Sequence, residues 1–372
     1  MKGHTIPLGK ILGIPIGLDT TWFLIFALLT WSLAASYFPA EFSNWPTAEY
    51  WIVGAITAIM LFVSVLLHEL GHSVIARRYK IPVRSITLFI FGGIAQIGGE
   101  PPSAAAEFWI AIAGPIVSFL LGLLFALARP AATGFAPVLA LAEYLAYINL
   151  TLALFNLIPG FPLDGGRVLR AIVWGITKSL RRATMIAGNV GRAFAYGFIL
   201  VGVWQILVGN LVGGIWIAFI GWFLESAASA QLHHLALERV LSGHHVSEAM
   251  STHYTTLPYD LNLERAVDEH VLGSGRRTYI VERGGHPIGL LTLDQIRDIG
   301  RQQWPSTTVE QAMIPLLGVR TVRPEADLAE VLDEMDRDGV NQLPVVVDNQ
   351  VMGTLSRGDL ITYLRNLHQA AT

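Results

Sequence analysis

The sequence predicts a polytopic α-helical membrane protein of about six transmembrane helices with a short membrane-associated β segment, followed by a smaller α/β domain. Three observations carry this. Of 372 residues, 53% are hydrophobic and 14% charged, with a mean hydropathy of +0.51; soluble domains carry about 25% charged residues. Uncharged runs long enough to span a bilayer alternate with clusters of Arg and Lys. From Glu238 onward Asp, Glu and Arg become frequent, and nine of the ten Trp lie before that point, so bilayer is the first solvent and water the second. The chain therefore divides into 1–237 and 238–372. A net charge of −3 without a basic tract excludes nucleic acid as partner. The absence of cysteine excludes disulfides, thiolate zinc sites and cysteine nucleophiles.

In chain order, residues 1–17 hold Pro7 and Pro15, which argue against regular structure. Thr20 to Phe38 is an uncharged first span, too long and aromatic for a signal peptide. Trp51 to Ala76 is the second. Arg77, Arg78, Lys80 and Arg84 follow at once and mark the cytoplasmic side. Ser85 to Gly99 is rich in Ile but broken by four glycines, which suits a short strand or re-entrant hairpin held against protein. Phe108 to Ala128 and Pro137 to Pro159 are the third and fourth spans, the latter broken by Pro159 and Pro162. Arg167, Arg170, Lys178, Arg181 and Arg182 form a second basic cluster. Ala193 to Leu224 is 32 residues without a charge and reads as a hairpin of two spans, turning at Gly209-Asn210 or Gly213-Gly214. A cytoplasmic N-terminus puts both basic clusters and the C-terminal domain inside, leaving Arg129 as the only basic residue in the outer loops.

The second span contains His68-Glu69-Leu70-Gly71-His72. Ionisable groups at membrane depth are costly, so they pair, bind something or line a wet cavity. The i, i+4 spacing stacks both imidazoles on one helix face. That suits two nitrogens on one Zn²⁺, with Glu69 beside them to take a proton from the attacking water. A catalytic zinc site needs a third protein ligand. Glu143 precedes Asp164 by 21 residues, which at about 1.5 Å per helical residue places it near the opposite bilayer face. Asp164 lies on the side of the histidines and is the expected ligand. A substrate helix must unwind before a peptide bond is accessible, and Ser85 to Gly99 offers a strand edge to receive it.

The C-terminal domain repeats internally. Val246-Ser-Glu-Ala-Met250 returns 63 residues later as Val309-Glu-Gln-Ala-Met313. Thr278-Tyr-Ile-Val281 answers Leu343-Pro-Val-Val346, and Gly289-Leu-Leu-Thr292 answers Gly353-Thr-Leu-Ser356. Each copy reads as a short opening helix, a helix, two strands and a closing helix, and two copies this small would bury their cores best against each other.

His68 to His72 in a span, Ala113-Gly114-Pro115-x-x-Ser118, and Asn156-x-x-Pro159-x-x-Pro162-x-Asp164-Gly165-Gly166 resemble the site-2 protease family of intramembrane zinc metalloproteases, over about residues 1–235. The resemblance implies one Zn²⁺ per chain on His68, His72 and Asp164, with Glu69 catalytic. It also implies a substrate-binding role for Asn156; the alternative is a polar side chain bonding the broken helix end. Substrates would be transmembrane segments of other proteins, cut within the lipid bilayer of a prokaryotic cell membrane in regulated intramembrane proteolysis. The repeat resembles a pair of CBS domains, about 243–302 and 303–372, which implies adenine nucleotide binding through G-x-x-[ST]-x-x-D and a homodimer through the pair. Gly353, Ser356 and Asp359 fit that pattern; the first copy has Gly289 and Thr292 but Gln295 in place of Asp. At most one good nucleotide site follows, and a purely structural pair is the alternative. The competing function is a CBS-regulated transporter or channel with an intramembrane His/Asp ion site. The HExxH spacing and Glu69 argue against it.

Overall fold

The computed structural model describes residues 5–273, 277–348 and 350–370. The chain forms two compact units, 1–233 and 234–372.

The first unit begins with strands β1 (Thr5–Ile11) and β2 (Ile14–Asp19), where the prolines argued against regular structure. Both prolines sit where a missing N–H does little harm. Pro7 lies in the terminal strand beside a bulge, and Pro15 precedes the Ile16–Leu18 stretch of β2 that pairs in parallel with β3. Helix α1 (Thr21–Ser32) continues through a π turn (Leu33–Tyr37) into α2 (Phe38–Glu41). Helix α3 (Thr47–Arg78) carries the HExxH motif. The Ile-rich, Gly-broken segment forms a hairpin of β3 (Val83–Phe89) and β4 (Gly92–Ile97). The sheet order is β1-β2-β3-β4, so β4 is a terminal strand. Ile14, Ile16 and Ile86 of the sheet pack on Leu70 of α3, which fixes the sheet against the motif helix.

Helices α4 (Ala104–Ala132) and α5 (Ala136–Asn156) follow, then an irregular stretch and the short helix α6 (Asp164–Thr177). Helices α7 (Leu180–Leu207) and α8 (Leu211–Leu241) resolve the 32-residue uncharged run. They turn at Gly209, whose φ of +96° is open to glycine. Among the described residues, six helices are by length and composition able to cross a membrane: Thr21–Glu41, α3, α4, α5, α7 and α8.

The second unit contains α9 (Val246–Ala249), β5 (Thr256–Pro258), α10 (Leu263–Ala266), β6 (Thr278–Arg283), β7 (His286–Thr292) and α11 (Leu293–Asp298). The second copy supplies α12 (Val309–Ala312), β8 (Ile314–Pro315), α13 (Leu328–Asp338), β9 (Gln342–Val347), β10 (Gln350–Ser356) and α14 (Arg357–Ala370). The copies interlock. Val246 of α9 lies in the core of the second copy with Leu328, Met335 and Leu355, while Val309 and Ala312 of α12 lie in the core of the first with Leu257, Tyr279 and Leu291. Each opening helix therefore completes its neighbour's core.

Candidate metal centre and active site

The i, i+4 spacing on α3 brings the His68 and His72 Nε2 atoms within 3.2 Å, both side chains buried. Asp164 heads α6 because the helix restarts after the broken end of α5. Its Oδ2 lies 3.1 Å from His68 Nε2 and 3.2 Å from His72 Nε2. All three ligand atoms lie within 4.8 Å of one another.

The other ring nitrogens are held in place. His68 Nδ1 lies 2.8 Å from Ser118 Oγ, and His72 Nδ1 lies 2.7 Å from the Ile110 carbonyl. The carbonyl only accepts, so His72 Nδ1 carries the proton and its Nε2 lone pair faces the cluster. Helix α4 supplies both partners, and Gly114 between them lets the helix approach: a Cβ there would stand 2.2 Å from His72 Nε2 and 2.6 Å from His68 Nε2. Ala113-Gly114-Pro115-x-x-Ser118 is thus the cradle of the imidazoles. Gly165 and Gly166 do the same for Asp164, since a Cβ on either would meet the 157–161 backbone at 2.4 Å.

Glu69 points to the sheet. A Cβ on Gly93 would stand 2.6 Å from Glu69 Cγ, and the Ala95 N–H faces the Glu69 carboxylate. With Ala95 turned that way, strand alternation turns the backbone groups of Gly93 and Ile97 to the same outer edge.

The nitrogen of the Asn156 side chain donates to the Leu152 carbonyl at 3.1 Å, within its own helix. In the second unit the Ser356 N–H and hydroxyl donate to Asp359 Oδ2 at 2.8 and 2.6 Å, and the Asp359 N–H returns to Ser356 Oγ at 3.1 Å. This is a capping box on α14. Gln295 closes the same box with Thr292 in the first copy, so Asp and Gln are equivalent for capping. Beside Ser356 and Asp359 opens a cavity of about 660 Å³ that Arg277, Thr278 and Arg357 also line.

Sequence reasoning passes over three features. Gly93 and Ala95 sit in a segment that reads only as a strand, and nothing local links them to Glu69. Ser118 belongs to the Ala113–Ser118 motif, but its spacing alone gives it no role. Glu107, fully buried on α4, binds Arg170 of α6, 63 residues away; its one sequence signal is a carboxylate placed directly before a span.

The peptidase family M50 profile matches residues 56–134 and 128–198, and the CBS domain profile matches 305–366. Rip3 of Mycobacterium tuberculosis, named as a zinc metalloprotease, is 38% identical over 95% of this chain and 91% of its own length. A Synechocystis relative, also named as a zinc metalloprotease, is 35% identical over 97% of this chain and 96% of its own length. The chain belongs to peptidase family M50. It is a site-2 protease relative, a multi-pass membrane zinc metalloprotease with a C-terminal CBS domain. That membership decides against the transporter or channel reading. Among solved structures, the site-2 protease from Methanocaldococcus jannaschii is 32% identical, covering 61% of this chain and 95% of that one, with a TM-score of 0.42.

The M50 family implies zinc, and the donors present fit it. Two imidazole Nε2 atoms and one carboxylate oxygen converge, the outer ring nitrogens are engaged, and glycine keeps the inner space open.

Proposed function

We propose that this M50 protease is an intramembrane endopeptidase that cuts transmembrane segments of substrate proteins near the cytoplasmic face, with His68, His72 and Asp164 holding one Zn²⁺ and Glu69 as general base. The observation that carries this reading is the meeting of the three ligand atoms with Glu69 at the outer edge of β4. Zinc held there would polarise a water and the scissile carbonyl. Glu69 accepts the proton of that water and passes it to the leaving amine. Ser118 and the Ile110 carbonyl orient the imidazoles.

An unwound substrate adds to the sheet on β4. The expected edge ran through the whole of Ser85 to Gly99, but β3 is flanked by β2 and β4, so only β4 is available. The outward backbone groups of Gly93 and Ile97 would pair with the guest strand and present its carbonyl beside Glu69. Asn156, the last residue of α5 and directly before the irregular stretch 157–163, supports the end of α5 and reaches substrate from there.

Both basic clusters, the N-terminus and the CBS pair belong on the cytoplasmic side of a prokaryotic cell membrane in this reading. The CBS pair takes an adenine nucleotide at the cavity of about 660 Å³, where Arg277 and Arg357 would meet phosphates and the ribose would lie near Ser356 and Asp359. It also joins two chains as a homodimer, which light scattering in detergent checks.

Glu69→Gln should retain one zinc per chain by metal analysis and lose cleavage of a transmembrane substrate by more than about a hundredfold. Comparing membrane proteins that accumulate in cells with this variant identifies the substrate. Full cleavage by Glu69→Gln would sink the assignment.

A further inference from the structure

A second charged cluster lies next to this site and has no part in the mechanism above. Glu107 of α4 is fully buried, and its Oε1 takes two donors from Arg170, the Nε at 2.6 Å and the Nη2. Arg167 reaches the same oxygen only at 4.0 Å. Within this cluster two guanidinium groups share one carboxylate; Asp164 and Glu69 also act on Arg167, but in the proposed site the zinc and its water claim their charge, so a cation is left over. The Arg167 side chain is 26% exposed, so water solvates that charge only in part. A cation held this way is costly unless an anion meets it.

Both arginines line a cavity of about 400 Å³ between the sheet and the helices, with Ala95 and Ile97 of β4, Pro162, and Gln231 of α8. The cavity begins where the candidate active site ends. Ala95 faces Glu69 on one side and lines the cavity on the other. Asp164 and Arg167 stand one turn apart on the same face of α6. A strand laid on β4 from Gly93 to Ile97 would pass Glu69 and then run over Arg167. The cavity's volume exceeds ten times a water's share of about 30 Å³, enough for an acidic side chain with its hydration. Glu100 also lines the cavity, but it is exposed and solvated at the loop.

We propose that this cavity is a subsite of the protease that recognises a peptide carboxylate, with Arg167 as its binding group and Arg170, neutralised by Glu107, as its support. The proposal rests on the intramembrane-protease reading. A planar guanidinium with free donors matches a carboxylate two bonds at a time. Two sources offer that chemistry: an Asp or Glu side chain of the intact substrate strand, or the C-terminal carboxylate freed by cleavage.

The test uses full-length, zinc-loaded Glu69→Gln protein in detergent, so bound peptides stay uncut. The probes are dye-labelled Leu/Ala transmembrane peptides carrying one Glu, or its Gln counterpart, scanned from the centre to one end. Truncated peptides ending in a free carboxylate or an amide form the second arm. Fluorescence anisotropy should give at least tenfold tighter binding for Glu over Gln at one or two positions if the side chain is the source. If the freed terminus is the source, it should give the same preference for acid over amide. Arg167→Met should bring each pair within twofold, and Arg167→Lys should keep a reduced preference with unchanged zinc content. Equal or absent binding of the charged and neutral probes by the Arg167 protein overturns the proposal, as does a preference that survives Arg167→Met. If Arg167→Met does not fold, the Arg167 protein and Arg167→Lys decide between the same outcomes. Charge preference in a protein that binds no zinc would overturn the metal centre and leave the subsite standing.

Discussion

The membrane unit and the CBS unit use similar residues to different ends. In the first, His68 and Asp164 are 96 positions apart yet meet at 3.1 Å, and His72 joins them. In the second, Ser356 and Asp359 are three positions apart and bond chiefly each other. Solvent explains the contrast. At membrane depth an ionisable side chain has no water to turn to, and its own helix backbone cannot balance its charge, so its presence calls for a partner from elsewhere in the fold. At the start of a water-exposed helix, Ser and Asp satisfy each other and the helix end, and no ligand is needed. The same kind of motif is therefore evidence of chemistry in one unit and of capping in the other.

The sharpest way to break that contrast is Gly114→Ala, one methyl added to a helix. The new Cβ would enter the space of both Nε2 atoms, so zinc content should fall to below about a tenth and cleavage by more than about a hundredfold. Ser118→Ala, which removes only the bond to His68, should cost about 10- to 100-fold in zinc affinity, read by competition with a chelator. A Gly114→Ala protein with normal zinc content would show that the imidazoles do not depend on their cradle.

In the CBS unit the corresponding changes are smaller. Gln295→Ala and Asp359→Ala should each destabilise the unit by about 0.5–2 kcal/mol, because both remove a capping partner. Nucleotide separates them. If Asp359 also binds ribose, calorimetry on the full chain should show ATP binding lost in Asp359→Ala and kept in Gln295→Ala. Equal ATP affinity in the two variants would reduce Asp359 to a cap.

How much the sequence disclosed follows the same line. Six spans, the turn at Gly209, the broken end of α5 and the β hairpin were legible because hydropathy, Gly and Pro act locally. His68, His72 and Asp164 were legible as a group because charge in an apolar run is rare and the topology put them on one side. The strands at Thr5–Ile11 and Ile14–Asp19 were not, since their prolines are tolerated only through a sheet assembled with β3, some 70 residues away. Nor was the link from Glu69 to Gly93 and Ala95, which exists only through the packing of that sheet on α3. The exchange of opening helices between CBS copies was hidden for the same reason: a repeat shows that two units are alike, not which core each helix enters.

The smallest effect concerns charge in water, where the contrast predicts that a motif is worth least. Glu248 of α9 closes a capping box at His245 and also meets α14. Hydrogen bonds from the Tyr363 hydroxyl, then from the His245 N–H and the His244 ring, hold its carboxyl at about 2, below the ordinary 4.5. Burial, and then Glu248 itself, push the Tyr363 phenol up to about 12, so it stays a donor throughout the working range. A carboxylate depressed by folding contributes stability above its unfolded value, and that contribution is lost as pH falls from about 4.5 to about 2. Tyr363→Phe removes the largest of the three bonds, so the Glu248 carboxyl moves back toward 4.5. The variant should melt lower than the parent at pH 7, and the gap should close as the pH approaches 2. Because Glu248 is solvent-exposed, water screens the bond and the gap should be small beside that from Asp359→Ala. Melting curves of the full chain at pH 7, 4 and 2.5 decide it: a gap that stays constant with pH would assign the loss to packing of the Tyr363 ring and not to its bond with Glu248.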